Sequence, residues 1–412
     1  MSDSVLVLNC GSSSLKFALF DVDIAPLPRS PRWGGAVNGI GGAAPSFSES
    51  GAAPSFSESG AAPSFGESGA APVRLALDPA APHHAALAHV RELVHDRLGG
   101  HRLVAVAHRV VHGGAKYAQP VCVDAAVLAD LESYFPLAPL HQPFALDAIR
   151  ALLAWSPALP QVACFDTAFH HTLPLVEQML PLPYAAWQRG LRRYGFHGLS
   201  YEYLAIALAE RLGSAARGRT IAAHLGSGAS LCAMQGLQSV ATTMGFSALD
   251  GLMMGTRCGA LDPGALLYLM EVDKLTPAQV GHMLYHESGL LGLSGVSADP
   301  RELLPLEADD PRVQVALALY VRRIVRELGA LVAVLGGLDL LVFSAGIGEH
   351  NAAIRERVCR GLGYLGVVLD DAANARHAAT ISAAGSRVHV AVEPTNEEWI
   401  AARAAVRLIG TA

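Results

Sequence analysis

The chain has 412 residues, 51% of them hydrophobic and 16% charged, with a formal net charge of −6. That much apolar mass excludes a chain disordered throughout, and the length suggests two or three domains. The acidic balance argues against a protein whose main work is to coat nucleic acid.

The first apolar run, residues 5–8, reads as a buried strand. Residues 9–14 read as a turn and residues 15–20 as a second strand, so the chain opens with a β-hairpin. Residues 42–72 carry a nine-residue repeat, Gly-Ala-Ala-Pro-Ser-Phe-(Ser/Gly)-Glu-Ser, with copies starting at Gly42, Gly51 and Gly60 and a partial copy at Gly69. Its Pro, Gly and Ser content disfavours a packed core, so a disordered insertion between strands is expected there. Helices are expected near 85–97, 124–134, 143–155 and 199–212, and strands near 104–110, 161–165 and 220–225. A long helix over 308–335, with Asp310-Pro311 at its start, precedes a strand at 338–343 and a glycine turn at 344–348. Thr395 and Glu398 have the spacing of a capping box that opens the last helix. Hairpins and strands alternating with helices argue α/β, with mixed sheets in two halves.

The six cysteines are scattered and none forms a Cys-x-x-Cys pair, which suggests free thiols in a reducing compartment. The longest apolar stretch, 330–343, is broken by Gly336, Gly337 and Asp339, whereas a membrane span needs about 20 apolar residues. A soluble cytoplasmic protein with no membrane or nucleic-acid partner is the expectation. No His-Glu-x-x-His spacing occurs, and His170 and His171 are adjacent and expected to point apart on a strand. A zinc hydrolase is therefore disfavoured.

Three glycine turns follow apolar strands: residues 9–16, Gly226-Ser-Gly-Ala-Ser230 and Gly346-Ile-Gly348. Such turns let backbone N–H groups face phosphate oxygens. Neither a Walker-type P-loop nor a Gly-x-Gly-x-x-Gly run is present. Lys16 beside the first turn stands out, because only three of the 30 basic residues are lysines. Charged side chains also gather at strand ends, where α/β proteins place binding residues. They lie in His108-Arg-Val-Val-His-Gly-Gly114, Phe165-Asp-Thr-Ala-Phe-His170, Arg193-Tyr-Gly-Phe-His-Gly198 and Gly255-Thr-Arg-Cys-Gly259.

Together with Asn9-Cys-Gly-Ser-Ser-Ser-Leu-Lys16, Leu137-Ala-Pro-Leu-His141, Ala345-Gly-Ile-Gly-Glu349 and Thr395-Asn-Glu-Glu398, these runs occur in an order that resembles the acetokinase family. That family lies within the actin, Hsp70 and sugar kinase superfamily. The resemblance spans residues 4 to about 407, apart from the repeat. It implies two similar α/β domains of actin/Hsp70 (ribonuclease H-like) type around a cleft, and a homodimer. The domains implied are 1–165 completed by 395–412, and 166–394, the second binding nucleotide. The implied reaction transfers phosphoryl from ATP to acetate, a short-chain carboxylate, giving ADP and acetyl phosphate, with Mg²⁺ or Mn²⁺.

By motif position, Asn9 and Glu397 match the metal-associated residues and Lys16 the ATP-associated lysine. Arg109, with Val111, His141 and Phe196, matches the substrate-binding set. Asp166, His197 and Arg257 match the catalytic set. His224, Leu225, Gly226, Ser227 and Gly228 match a nucleotide-contacting loop, as do Asp299, Pro300 and Arg301, and Gly346, Ile347, Gly348, Glu349 and His350. A carboxylate is already a competent nucleophile, so such a site must align it and neutralise charge on the transferring group.

Departures from the family pattern are Ser227 for Asn, Gln142 for Asn, Pro300 for Phe and His350 for Asn, which bear on adenine affinity. Ala248 stands for a pocket proline and Ala260 for Asp, which bear on the acid taken. A propionate or butyrate kinase, a degenerate inactive paralogue and an Hsp70- or actin-like nucleotide switch are the alternatives.

Overall fold

A computed structural model describes residues 2–50, 71–139 and 141–410. The chain divides into two compact units, residues 1–169 with 396–412, and residues 170–395.

The first unit is built on β1 (Asp3–Cys10), β2 (Ser14–Asp21), β3 (Trp33–Asn38), β4 (Ser46–Ser50), β5 (Val73–Arg74), β6 (Arg102–Val110), β7 (Val121–Cys122) and β8 (Gln161–Phe165). Their order in the sheet is β5-β4-β3-β2-β1-β6-β8-β7. Strands β1 to β5 form an antiparallel run, while β6 and β8 lie parallel to β1. β1 is buried on both faces, which is why residues 5–8 are uniformly apolar rather than alternating. Leu6 and Leu8 pack with Leu87, Val90 and Val94 of the helix Pro82–Leu98 and with Leu152 of the helix Gln142–Trp155. The helix Glu397–Ile409 also packs on β1, β6 and β8.

The second unit carries β9 (Arg219–Leu225), β10 (Ala229–Gln235), β11 (Gln238–Thr242), β12 (Leu340–Ser344) and β13 (His389–Val392), in the order β11-β10-β9-β12-β13. An antiparallel meander is again followed by two parallel strands, so this sheet repeats the path of β3-β2-β1-β6-β8. The helix Pro311–Leu335 packs against it. Its buried residues Val313, Leu317, Tyr320, Ile324, Leu328 and Leu331 recur every three or four positions, forming one stripe.

Several sequence expectations need correction. The first repeat copy is not an unstructured insert: residues 46–50 pair with β3, and Phe47 stacks on Phe17 with ring centroids 6.3 Å apart. The strand places Phe47 and Glu49 on one face, where Phe47 packs on Phe17 and Glu49 accepts from Trp33 Nε1, and Ser46 and Ser48 on the other. Residues 51–70 lie outside the described residues. The segment Ala168–Thr172 is a 3₁₀ turn rather than a strand. Residues 345–350 form the helix Ala345–His350 instead of a turn, starting directly after β12. The last helix is capped by Asn396, whose Oδ1 accepts the Trp399 N–H at 2.9 Å, and not by Thr395. The long helix begins at Pro311, because Asp310 caps it by accepting from Arg312 and Val313 N–H groups.

Candidate functional site

In the first unit, β6 ends at Val110 and places Arg109 opposite the loop after β8. Arg109 donates from Nε to Asp166 Oδ1 at 2.9 Å and from Nη2 to Oδ2 at 2.7 Å, and its Nη1 lies 3.1 Å from Glu397 Oε2. The structure thus brings together three candidates that lie 57 and 288 residues apart in sequence. Burial alone would lower the guanidinium's pKa, but Asp166 and Glu397 outweigh it and hold Arg109 charged. Asp166 is 2% exposed, and burial, with Glu397 adding, raises it against the pull of Arg109 and His141. The bidentate geometry is that of an ionised pair. Glu398 is raised by burial and then by Glu397, with Lys16 and Arg109 opposing.

Val111 and His141 flank this cluster as half-buried residues, His141 directly preceding the helix Gln142–Trp155. Lys16 lies on β2, the strand expected over 15–20, and is exposed, paired in register with Asn9 on β1. Gln142 is fully buried, and its side-chain amide both accepts from the His112 N–H at 3.1 Å and donates to the His112 carbonyl at 2.9 Å. Its replacement of Asn is therefore explained by bracing the loop after Arg109.

The metal-ion question turns on donor chemistry. Among the described residues no three His, Cys, Asp or Glu side chains form a metal cage. Magnesium uses one or two carboxylates, waters and substrate phosphates rather than an all-protein cage. Asp166, Glu397 and Glu398 carry more negative charge than Arg109 offsets, and burial and mutual repulsion raise Asp166 and Glu398. A divalent cation beside Asn9 and Glu397 fits that imbalance.

In the second unit, His197 caps the helix Gly198–Leu212 from the left-handed region, at φ 60°. A non-glycine residue held there is backbone strain of the kind found at functional sites. Gly195, at φ 75°, lets the chain pass His170, whose ring a Cβ would approach to 2.5 Å. His170 bonds Ser239 Oγ and the Phe196 carbonyl, and burial lowers its pKa to about 4, so it is a neutral brace. Phe196 itself is buried in this unit's core. The His197 ring stacks on His224 with centroids 4.1 Å apart and planes at 16°.

Arg257 stands on a loop tied by Met254 N–H to Arg257 O and by Cys258 N–H to Leu284 O. Its Nη1 donates to the Ala248 carbonyl at 3.0 Å. A Cβ at Gly228 would lie 3.3 Å from His197 Nε2 and 3.6 Å from Arg257 Nη1. His197 Nε2 and an Arg257 N–H therefore converge on the face of a residue that offers no side chain. Gly226, Ser227 and Gly228 form the tight turn between β9 and β10, with Gly226 N–H donating to Gly228 O at 3.0 Å.

The remaining candidates lie in two short helices of this unit. Asp299 caps the helix Pro300–Leu303 and also takes a bidentate bond from Arg301, so Pro300 simply occupies the first helical position. Gly346, Ile347, Gly348, Glu349 and His350 lie in the helix Ala345–His350. Glu349 is buried, and burial raises its pKa to about 7 although the Thr395 N–H donates to it.

Sequence reading missed Arg355, which has no exposed surface. It donates from Nη1 to the carbonyls of Gly348 and Glu349, from Nε to Asn374 Oδ1, and from Nη2 to Asn374 O and His377 Nδ1, all at 2.8 to 2.9 Å. All five guanidinium N–H groups are used without a carboxylate. It follows Gly348 by seven positions, two helical turns, but its other acceptors lie beyond any local spacing. Ser230 and Tyr201 were also missed: Ser230 Oγ meets His197 Nδ1, and the Tyr201 hydroxyl meets Ser230 Oγ.

The sequence profile of the acetokinase family matches residues 4–403. An acetate kinase of Rhodopseudomonas palustris is 48% identical over 411 residues, covering 99% of both chains. Among solved structures, an acetate kinase of Porphyromonas gingivalis aligns with TM-score 0.83 and 34% identity over 99% of this chain and 100% of its own. A propionate kinase of Francisella tularensis aligns with TM-score 0.85 and 32% identity over 98% of each chain.

Proposed function

This chain belongs to the acetokinase family and is a phosphotransferase with a carboxyl group as acceptor, and we propose that it reversibly transfers the γ-phosphoryl group of ATP to acetate by direct in-line transfer. The products are acetyl phosphate and ADP. Full-length relatives named acetate kinase support acetate as the acid.

The observation that carries the reading is the convergence of His197 Nε2 and Arg257 Nη1 over Gly228. Phosphoryl transfer needs little covalent help and much charge stabilisation, and an imidazole N–H with a guanidinium supplies it. Arg109 would orient the acetate carboxylate with Val111 and His141 beside it, Phe196 would be the second unit's contribution to acid binding, and Asp166 holds the Arg109 guanidinium in place. Lys16, the turn His224 to Gly228, the helix start at Asp299 to Arg301 and residues 346–350 would hold the nucleotide. Mg²⁺, held by Asn9 and Glu397, would neutralise phosphate charge.

A homodimer in the cytoplasm completes the reading. The free thiols of Cys10, Cys122, Cys232, Cys258 and Cys359 fit a reducing compartment, and among the described residues no helix is long and apolar enough to cross a membrane. The helix Pro263–Glu271 has no buried residue and leaves Leu267 and Tyr268 exposed, which supports a second copy as its cover. Light scattering at micromolar concentration tests this, and a monomer would refute it.

Hydroxylamine trapping of acyl phosphate with ATP, Mg²⁺ and acetate, propionate or butyrate tests the activity. The expected result is strongest signal with acetate, lost in Arg257→Ala, since removing such a donor costs on the order of a hundredfold or more in turnover. Strongest signal with a longer acid would replace acetate, and no signal from folded protein would sink the reading.

A further inference from the structure

His197 does not stand alone in its hydrogen bonding. Its Nδ1 lies 2.8 Å from Ser230 Oγ, and Ser230 Oγ lies 2.6 Å from the Tyr201 hydroxyl. Ser230 and Tyr201 are both without exposed surface. The geometry joins two elements. Tyr201 is on the first turn of the helix that His197 caps, its N–H donating to the His197 carbonyl at 3.0 Å. Ser230 is on β10, in register opposite His224, whose ring stacks on His197.

The order of the protons follows from what each atom can give. A hydroxyl donates once. Burial holds the Tyr201 phenol proton on, raising its pKa well above the usual value against hydrogen bonds with Ser230 and the His224 backbone, and a phenol is a better donor and a poorer acceptor than the alkyl hydroxyl of Ser230 that lies 2.6 Å away. The phenol proton is thus directed at Ser230 Oγ. Ser230, having accepted it, turns its own proton to Nδ1 of His197. A neutral imidazole that accepts at Nδ1 carries its proton at Nε2.

We propose that Tyr201 and Ser230 form a proton-ordered relay that fixes His197 as the Nε2–H tautomer, making them positioning residues for the donor that faces Gly228. Leaving either buried hydroxyl unsatisfied carries a desolvation cost, so the order is held by the fold and does not depend on substrate. The functional side of this inference rests on the assignment of His197 to the transferring phosphoryl group. With the opposite tautomer, Nε2 would be an acceptor and would repel a phosphoryl oxygen.

The test uses the full chain labelled with ¹⁵N-histidine at about pH 8, where an unperturbed imidazole is neutral. The His197→Gln variant identifies its signals by subtraction. Long-range ¹H–¹⁵N spectra distinguish the two tautomers and the doubly protonated ring. The Nε2–H pattern in the wild type, shifting to a mixture in Ser230→Ala, is expected. An Nδ1–H or imidazolium pattern in the folded wild type overturns the relay.

Kinetics supply the second arm. Ser230→Ala and Tyr201→Phe should lower kcat on the order of tenfold, as removing a histidine's outer hydrogen-bond partners does, with KM little changed. Ser230→Thr, which keeps the hydroxyl, should restore most of the rate. A KM rise at constant kcat would count against positioning. If His197→Gln retains full activity while the Nε2–H pattern holds, the assignment of His197 fails and the relay survives. If that variant is dead and the pattern is Nδ1–H, the reverse is true.

Discussion

Replacing Arg355 with Met keeps the apolar stem and removes only the donors. Five hydrogen bonds of 2.8 to 2.9 Å disappear, leaving the carbonyls of Gly348, Glu349 and Asn374, the Asn374 amide oxygen and His377 Nδ1 without them. At about 1.5 kcal/mol each, the lower value for bonds to a charged group, the gross loss is about 7 kcal/mol. Part of that is recovered, because burial lowers the guanidinium's pKa from 12.5 to about 10. At ~1.4 kcal/mol per tenfold change, burying that charge costs about 3 kcal/mol. The net expectation is a loss of about 4 kcal/mol at pH 7. Two of the orphaned carbonyls, Gly348 and Glu349, are at the C-terminal end of the helix Ala345–His350, where no intrahelical partner exists. Urea unfolding followed by circular dichroism measures the loss, and ATP titration should show a raised KM. A loss under about 1 kcal/mol would refute the ledger and the idea that this arginine organises the loop.

Glu349 gives a pH prediction. Its folded pKa is raised from 4.5 to about 7 by burial, so the protonated form favours the folded state. That contribution is complete below pH about 4.5 and is lost as pH rises through 7, by an amount on the order of 3 kcal/mol. Glu349→Gln should therefore stabilise the chain at pH 8 and change little at pH 4.5, and equal effects at both would contradict the burial argument. Deleting residues 52–69 leaves every described contact of β4 in place and should leave unfolding temperature and activity unchanged. Deleting 42–71 also removes Phe47 from Phe17 and the bond from Trp33 Nε1 to Glu49, and should cost about 1–2 kcal/mol on the half-buried Phe side chain alone. Equal melting temperatures would refute the role of β4. Asp166→Asn breaks a buried ion pair and should cost on the order of 3 kcal/mol, with Arg109→Lys failing to rescue turnover because an ammonium cannot span Asp166 and Glu397; wild-type stability and rate in both variants would refute it.

What the sequence determined by itself was the part written in local periodicity and in short motifs. The apolar runs at 5–8 and 162–165 are strands because parallel strands buried on both faces need no polar alternation. The stripe along 311–335 is a helix because its apolar residues recur every three or four positions. The ordered motifs also named most of the candidate side chains. Tertiary structure decided what each of them touches. Arg109 could read as a free carboxylate binder until β6, β8 and the C-terminal helix brought Asp166 and Glu397 to it. Ser230 looked like the end of a glycine turn until the pairing of β9 with β10 set it opposite His224 and under His197. Nothing in local spacing marks Arg355 among the arginines, and it is Asn374 and His377 that close over it. The first copy of the repeat became a strand only because the edge of β3 was there to pair with it. Apart from the hairpin pairings of β9 with β10 and β3 with β4, the partners are separated by 19 to 288 residues, and local spacing carries no record of contacts made only when sheets and helices pack.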